Sequence, residues 1–521
     1  MASPPPAPPS AVAAEHAPLH IDALQHQLQA STGRDVRRIE THISWVLLDG
    51  EHAWKIKKPV RLGFLDFGEL ALRRQACEDE LRLNRRLAPA LYLDVVPIRG
   101  SAAAPRIGGS DGAVIDYALR MKQFAAGALL SERMAAGTLD PDAIDRLAAR
   151  LAAFHQQACA AGAETAYGTP ESVLGATAGA LAELASRTDD KRLGDMMAWC
   201  RAEGERLQPA FAARKRDGWV REGHGDLHLA NLVALGDDVT AFDCIEFDPA
   251  LRWIDVQSDI AFLTMDLQAH GRRDLAFRFL DRWLEVTGDV PGLAVHRYYA
   301  VYRALVRAMV AAIRRSEGLE AGGPDYLAVA GALAGTRDPR LLVTHGLSGS
   351  GKSFVAQRLL EAAGAIRLRS DVERKRLFGL RALDATTALG DAVAYSPETT
   401  RRTYARLREA AAAALDAGYP VIVDAAFLKS GERAEFRRLA RSMGVPFSIL
   451  DCHADPGVLR ARIRARRARA DDASEADLAV LDRQFAGNEP LEPGERATCI
   501  DVDTTRPPAI GAIAARWLAM Q

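Results

Sequence analysis

Apolar residues recur over residues 36–48 and alternate with polar ones over 54–57, on either side of Asp49-Gly50. That pattern predicts two strands joined in a tight hairpin. On the second strand Trp54 and Ile56 alternate with Lys55 and Lys57, so both lysines share one face. Strands are also expected at 94–98 and 114–123, around a Gly- and Ala-rich loop at 99–111. Helical spacing is expected over 21–30 and over 77–87, where Leu81, Leu83 and Leu87 are the apolar positions. It dominates from 143 to about 208. It returns over 273–317, with Tyr298, Tyr299, Val301, Leu305 and Met309 as core positions, and over 325–333. A small sheet followed by a helical part is an α+β arrangement.

The pattern changes after the turn-rich segment 335–340. Apolar strands at 341–344, 365–368, 421–424, 447–451 and 497–501 alternate with helices, the periodicity of a parallel sheet covered on both faces. The expected organisation is a disordered tail at 1–20 and a first domain at 21–334, with its sheet-bearing part at about 21–124 and its helical part at about 125–334. A linker at 335–340 and a second domain at 341–521 complete it. A chain of 521 residues is long enough for several domains. The formal net charge of −1 gives no support to a nucleic-acid or membrane partner. Six cysteines, Cys77, Cys159, Cys200, Cys244, Cys452 and Cys499, are scattered without a C-x-x-C pair. That argues for a reducing compartment and against structural zinc. No uncharged apolar run spans a bilayer, and the N-terminal stretch has no basic and apolar regions of a signal peptide. A cytoplasmic protein is expected.

The strongest chemical signal is Gly346-Leu347-Ser348-Gly349-Ser350-Gly351-Lys352-Ser353, which fits G-x-x-x-x-G-K-[ST] between a strand and a helix. Backbone N–H groups around Gly346, Ser348, Gly349, Ser350 and Gly351 would cradle a phosphate chain. Lys352 would reach the β- and γ-phosphates, and Ser353 would hold Mg²⁺. Asp424 ends an apolar strand, the expected place for an acid near Mg²⁺. Asp371 lies beyond the second strand and could accept a proton from an acceptor hydroxyl, with Arg374 holding an anionic substrate. Residues 459–469 form an arginine-dense helix in which Arg462 and Arg466 share a face. It is read as a lid over the phosphates, with a solvated basic helix and a nucleic-acid patch as the other readings.

A second constellation is His224-Gly225-Asp226-Leu227-His228-Leu229-Ala230-Asn231, followed by an apolar hairpin ending in Asp243. Asp226 can accept the proton of an attacking hydroxyl, and Asn231 and Asp243 can hold Mg²⁺ on nucleotide phosphates. This segment resembles the catalytic segment of the aminoglycoside phosphotransferase and choline kinase group, over roughly residues 39–267. The resemblance implies a protein-kinase-like fold with Asp226 as base and Asn231 and Asp243 as metal ligands. It further implies Lys55 as the phosphate lysine, Glu80 as its helical partner, Met121 and Gln123 as the hinge that meets adenine, and Asp259 as a brace for the catalytic loop. The chain departs from the group where residues 40–45 replace a glycine-rich loop, and where residues 59–70 are inserted. Lys57 competes with Lys55 for the lysine role, and Glu246 is either a further metal ligand or a surface acid. His155 is expected in the core.

Residues 341–521 resemble small P-loop kinases of the gluconate kinase, zeta-toxin and polynucleotide kinase type, through residues 369–375 and 472–476 beside the P-loop. The pairing resembles bacterial proteins described as bifunctional aminoglycoside phosphotransferase/ATP-binding proteins. The expectation is therefore a multidomain kinase using ATP and Mg²⁺ at two sites, with a small-molecule hydroxyl as acceptor. A nucleotide-dependent regulator and a polynucleotide kinase activity of the second domain are the other two readings.

Overall fold

The computed structural model describes residues 19–62, 65–318, 322–384, 396–469 and 473–520. Residues 1–18 of the expected tail, and Asp472 of the 472–476 motif, lie outside the described residues. The chain divides into two compact units, one of Met1–Ala128 with Ala241–Leu251, the other of Leu129–Thr240 with Arg252–Gln521.

The first unit holds a six-stranded antiparallel sheet. Its strands run in the order Arg37–Glu40, Ser44–Leu48, His52–Lys57, Val114–Lys122, Tyr92–Ser101, Ala104–Ile107. Asp49 closes the expected hairpin by accepting the N–H groups of Glu51 and His52 at 2.8 and 2.6 Å and the Trp54 indole at 2.9 Å. Leu47, Trp54 and Ile56 bury one face of the sheet with Leu24 and Leu28 of helix Ile21–Thr32.

Three expectations are corrected in this unit, and the insertion is found to carry strands of its own. The run 36–48 is two strands, because the Thr41 hydroxyl accepts the Ser44 N–H at 3.0 Å and closes a turn between them. The loop 99–111 contains strand Ala104–Ile107, made possible by Gly100 at φ 103°. The insertion 59–70 carries a two-stranded hairpin, Arg61–Leu62 with Leu65–Asp66. The helix expected at 77–87 spans Leu70–Asn84. Its first turns read as polar because Arg73 is a buried anchor, 2.9 Å from the equally buried Asp116.

In the second unit, helices Pro141–Gln157, Val256–Ala269, Arg273–Thr287 and Leu293–Ser316 pack together. Arg214, at the end of a long helix, is sealed between Asp255 at 2.5 Å and Asp289 at 2.8 Å. A guanidinium removed from water needs such a bidentate answer. The same unit contains a five-stranded parallel sheet in the order Ile366–Arg369, Val421–Asp424, Leu341–His345, Phe447–His453, Cys499–Asp503. Leu341, Leu342, Val343, Val421, Ile422 and Val423 are fully buried, as unbroken apolar runs require when helices cover both faces. Two strands lie one or two residues later than expected, at Ile366–Arg369 and Cys499–Asp503. Among the described residues, no helix is long and apolar enough to cross a membrane.

His296 sits in the helical core, its ring nitrogens 3.0 Å from the Thr264 hydroxyl and 2.9 Å from the Gln257 amide oxygen. Burial, reinforced by Arg297 and Arg214, pushes its pKa down to about 3. The unfolded chain therefore takes up a proton that the fold refuses. This contribution to stability is complete above about pH 6.5 and is lost as pH falls toward 3. Replacing His296 by Gln should flatten the fall in stability between pH 6 and pH 4 by up to ~1.4 kcal/mol per pH unit. Urea unfolding at several pH values measures it.

Candidate active site

In the first unit, strand His52–Lys57 delivers both lysines to one carboxylate. Lys55 Nζ lies 2.7 Å from Glu80 Oε1 and 2.6 Å from Asp243 Oδ1. Lys57 Nζ lies 2.5 Å from Glu80 Oε2 and also pairs with Glu246. Lys57 and Glu80 are wholly sealed, whereas Lys55 keeps a path to solvent and the Asp243 side chain is 43% exposed. Glu80 therefore acts through the lysines, and Lys55 is the one of the pair that a ligand can approach. Glu246 is buried, so it is not a surface acid. Asp243 has φ 63°, a left-handed conformation rare for a residue with a side chain, and its N–H donates to the Tyr92 hydroxyl at 3.0 Å. Met121 lies near the end of strand Val114–Lys122, opposite Tyr92 and Ala53. The Gln123 N–H, just past that strand, donates to the Glu51 carbonyl at 2.8 Å, and its side chain accepts from the Gly50 N–H.

In the second unit the segment around Asp226 is hung on Asp259. The Asp259 carboxylate accepts the N–H groups of His224 at 2.7 Å and Gly225 at 2.9 Å. His155 Nε2 is 3.1 Å away, and the Trp283 indole donates to His155 Nδ1. The indole thus fixes the tautomer that donates to Asp259. Burial would raise the Asp259 pKa, but these donors hold it at about 2. His155 is in the core as expected, but its hydrogen bonds give it a part in the loop that its apolar neighbours conceal.

Asn231 is turned toward Asp226, donating to its carboxylate at 2.8 Å and its carbonyl at 3.0 Å. His228 Nδ1 accepts the Ala230 N–H, and its Nε2 lies 3.3 Å from Asp226 Oδ2. Burial pushes the Asp226 carboxyl up, but His228 and His224 hold it well below the usual carboxylate range. An ionised, positioned carboxylate with about a third of its side chain exposed can receive a proton from a hydroxyl held against it.

The P-loop lies in the same unit. Gly346, Gly349 and Gly351 have φ of 135°, 82° and 82°. A Cβ on Gly346 would come within 2.2 Å of the Cys452 carbonyl oxygen, so only glycine fits. Lys352 begins helix Lys352–Ala363 and bends back to the Leu347 carbonyl at 2.8 Å. Burial holds its pKa below the ordinary ammonium range, with Asp424 opposing. The Ser348 N–H donates to the Gln484 side chain at 2.7 Å, and Ser350 is buried, with its carbonyl accepting from Thr504.

A cavity of about 1050 Å³ opens on this loop and gathers Lys352, Ser353, Asp371, Asp424, Arg462 and Arg466. Asp371 holds Arg374 at 2.9 Å, so that arginine is already paired with the acid expected to act beside it. Arg462 bonds the Gly349 carbonyl at 3.3 Å and Thr504 at 2.9 Å, while Arg466 bonds the Ala476 carbonyl. Asp424 Oδ2 is buried without a hydrogen-bond partner. A carboxylate oxygen with no hydrogen bond, lining the same cavity as Ser353, fits a Mg²⁺ ion. Among the described residues no group of three or more His, Cys, Asp or Glu could hold a metal, so phosphate oxygens and water would complete such a shell. Tyr404, Lys429 and Glu432 also line the cavity, from segments whose spacing marks only amphipathic helix.

Residues 341–491 match the family model AAA_33, an AAA domain. The protein Rv2004c of Mycobacterium tuberculosis H37Rv is 31% identical over 454 residues, 86% of this chain and 89% of the relative. This chain belongs to the Rv2004c family. Among solved structures, a sugar kinase from Janibacter sp. HTCC2649 is 25% identical, covering 34% of this chain and 94% of that one, with a TM-score of 0.27. A choline/ethanolamine kinase family protein from Mesorhizobium loti is 12% identical, covering 60% of this chain and 92% of that one, with a TM-score of 0.36. The Rv2004c-family chain carries a six-stranded antiparallel sheet and a P-loop domain with a parallel five-stranded sheet.

Two substitutions check the roles that geometry gives these residues in the Rv2004c-family chain. Lys57→Met leaves Glu80 and Glu246 sharing one fewer cation in a sealed site, and should destabilise by about 3–5 kcal/mol in urea unfolding. Gly346→Ala should abolish the thermal shift that Mg²⁺-ATP produces through the P-loop, while differential scanning fluorimetry reports a destabilisation of about 1–3 kcal/mol.

Proposed function

We propose that this chain is an ATP- and Mg²⁺-dependent phosphotransferase whose P-loop domain moves a γ-phosphoryl group to a hydroxyl of a small molecule. The observation that carries the reading is the cavity that brings the P-loop lysine, the orphaned Asp424 oxygen, Asp371 and two arginines around one volume. The P-loop amides and Lys352 hold the phosphates, and Arg462 and Arg466 lie where charge develops during transfer. Ser353 and Asp424 would hold Mg²⁺, which supplies charge neutralisation on the phosphate oxygens when bound. Asp371 receives the acceptor proton. Basic side chains outnumber acidic ones around the cavity by eight to three, which supports an acceptor carrying an anionic group.

The protein-kinase-like part is read as a second phosphotransferase site. In the second unit Asp226 is read as base and Asn231 as a metal ligand; in the first, Asp243 is read as a metal ligand and Lys55 as a phosphate lysine braced by Glu80. Met121 and Gln123 form its hinge. The pairing of the two folds supports a bifunctional protein working in the cytoplasm.

ATP turnover with Asp226→Ala and Lys352→Ala, singly and together, tests both sites. Each single variant should lose its own site's turnover by about a hundredfold or more, and the double variant should retain none above background. Unchanged turnover in the double variant would end the proposal.

A further inference from the structure

Strand Ile366–Arg369 lies at the edge of the parallel sheet and packs against helix Arg273–Thr287, which precedes the P-loop domain in the chain. Arg367 and Arg369 alternate along that strand, so both belong to one face. Arg367 meets Asp281 at 2.9 Å and Glu285 at 3.3 Å, and its other nitrogen reaches the carbonyl of Ser353. Arg369 stands between two carboxylates, with Nη1 3.4 Å from Glu285 Oε1 and Nε 3.8 Å from Asp424 Oδ2. That Asp424 oxygen is the one with no hydrogen-bond partner. Glu285 is itself fixed from a second side by Arg282 at 3.1 Å.

A guanidinium this close to Asp424 competes with a cation for the same oxygen. On its other side the same guanidinium is engaged by the Glu285 carboxylate. We propose that Glu285 is a positioning residue for the P-loop site, restraining Arg369 so that Asp424 stays available to the divalent cation bound with the nucleotide. This inference rests on the phosphotransferase reading, because it presumes that the P-loop site takes a metal-bound nucleotide. It extends that reading to a side chain outside residues 341–491, the stretch that matches the AAA domain model. With Glu285 neutralised, Arg369 closes on Asp424 and the cation binds more weakly. A residue that merely packed the helix against the strand would change unfolding, but not the cation dependence of nucleotide binding.

The test is a Mn²⁺ titration of the full chain with a non-hydrolysable ATP analogue, read by electron paramagnetic resonance, with Lys352→Ala subtracted to isolate the P-loop site. Glu285→Gln should weaken apparent Mn²⁺ affinity about tenfold. Adding Arg369→Ala to it should restore affinity to within about twofold of the unsubstituted protein, because the competing cation is gone. Unchanged affinity in Glu285→Gln, or a double variant as weak as the single, would overturn the proposal. If Glu285→Gln does not fold, Arg369→Ala alone decides, since it should bind Mn²⁺ at least as tightly as the unsubstituted protein and weaker binding refutes the competition. Absence of any Lys352-dependent Mn²⁺ and nucleotide signal in the unsubstituted protein would overturn the phosphotransferase reading first, and this inference with it.

Discussion

A charge taken out of water has to be answered at contact distance, and most of what is distinctive in this structure follows from that requirement. Glu80 is sealed because two lysines share it. Asp259 is sealed because two backbone N–H groups and an imidazole converge on it. Arg214 is sealed between two aspartates. Each of these answers also fixes a stretch of backbone: the Lys55 strand against its helix, the loop that carries Asp226, and the end of a long helix. The exceptions are informative for the same reason. Asp424 keeps a buried oxygen with no hydrogen bond, 3.8 Å from the Arg369 guanidinium, and the half-buried Lys352 has a loop carbonyl as its hydrogen-bond acceptor. Groups left short of a partner in an otherwise well-answered interior are where a ligand would recover the missing interactions, which is why the proposed nucleotide site is placed there.

What could be read from the chain beforehand was what is local. The P-loop needs three glycines at fixed spacing because the backbone must take φ values that side chains forbid, and that demand is written into consecutive residues. The Asp226–Asn231 relation is equally local, since one turn places the amide against the carboxylate. The parallel sheet was legible because strands buried on both faces are continuous apolar runs. The run 36–48 is broken by a turn that the Thr41 hydroxyl closes on the Ser44 backbone, and no periodicity signals that.

What stayed hidden depends on distant partners. Lys55 and Lys57 are indistinguishable by alternation, and they separate only through their partners: Lys57 is sealed against Glu80 and Glu246, while Lys55 reaches the partly exposed Asp243. Arg73 reads as a solvated helix residue until Asp116 is seen beneath it. His155 reads as an ordinary core residue until its two ring nitrogens are traced to Trp283 and Asp259. Asp281 and Glu285 carry the signature of an exposed helix face, because the arginines that bury them arrive more than eighty residues later.

That last case bears on how the P-loop domain is built. Its edge strand, unlike the central ones, alternates arginine with apolar residues, a pattern suited to water on one side. Here that side meets a helix instead, and the helix supplies two carboxylates where solvent would otherwise screen the arginines. Arg376, on the short helix after Asp371, also ends on that helix, donating to the Glu285 carbonyl at 2.7 Å. The last turn of Arg273–Thr287 therefore touches strand Ile366–Arg369, the arginine beside Asp424, and the helix that carries Asp371. A shift of that turn would move Arg369 and the helix of Asp371 together. The packing around the P-loop cavity is thus set in part from a segment outside the P-loop motif.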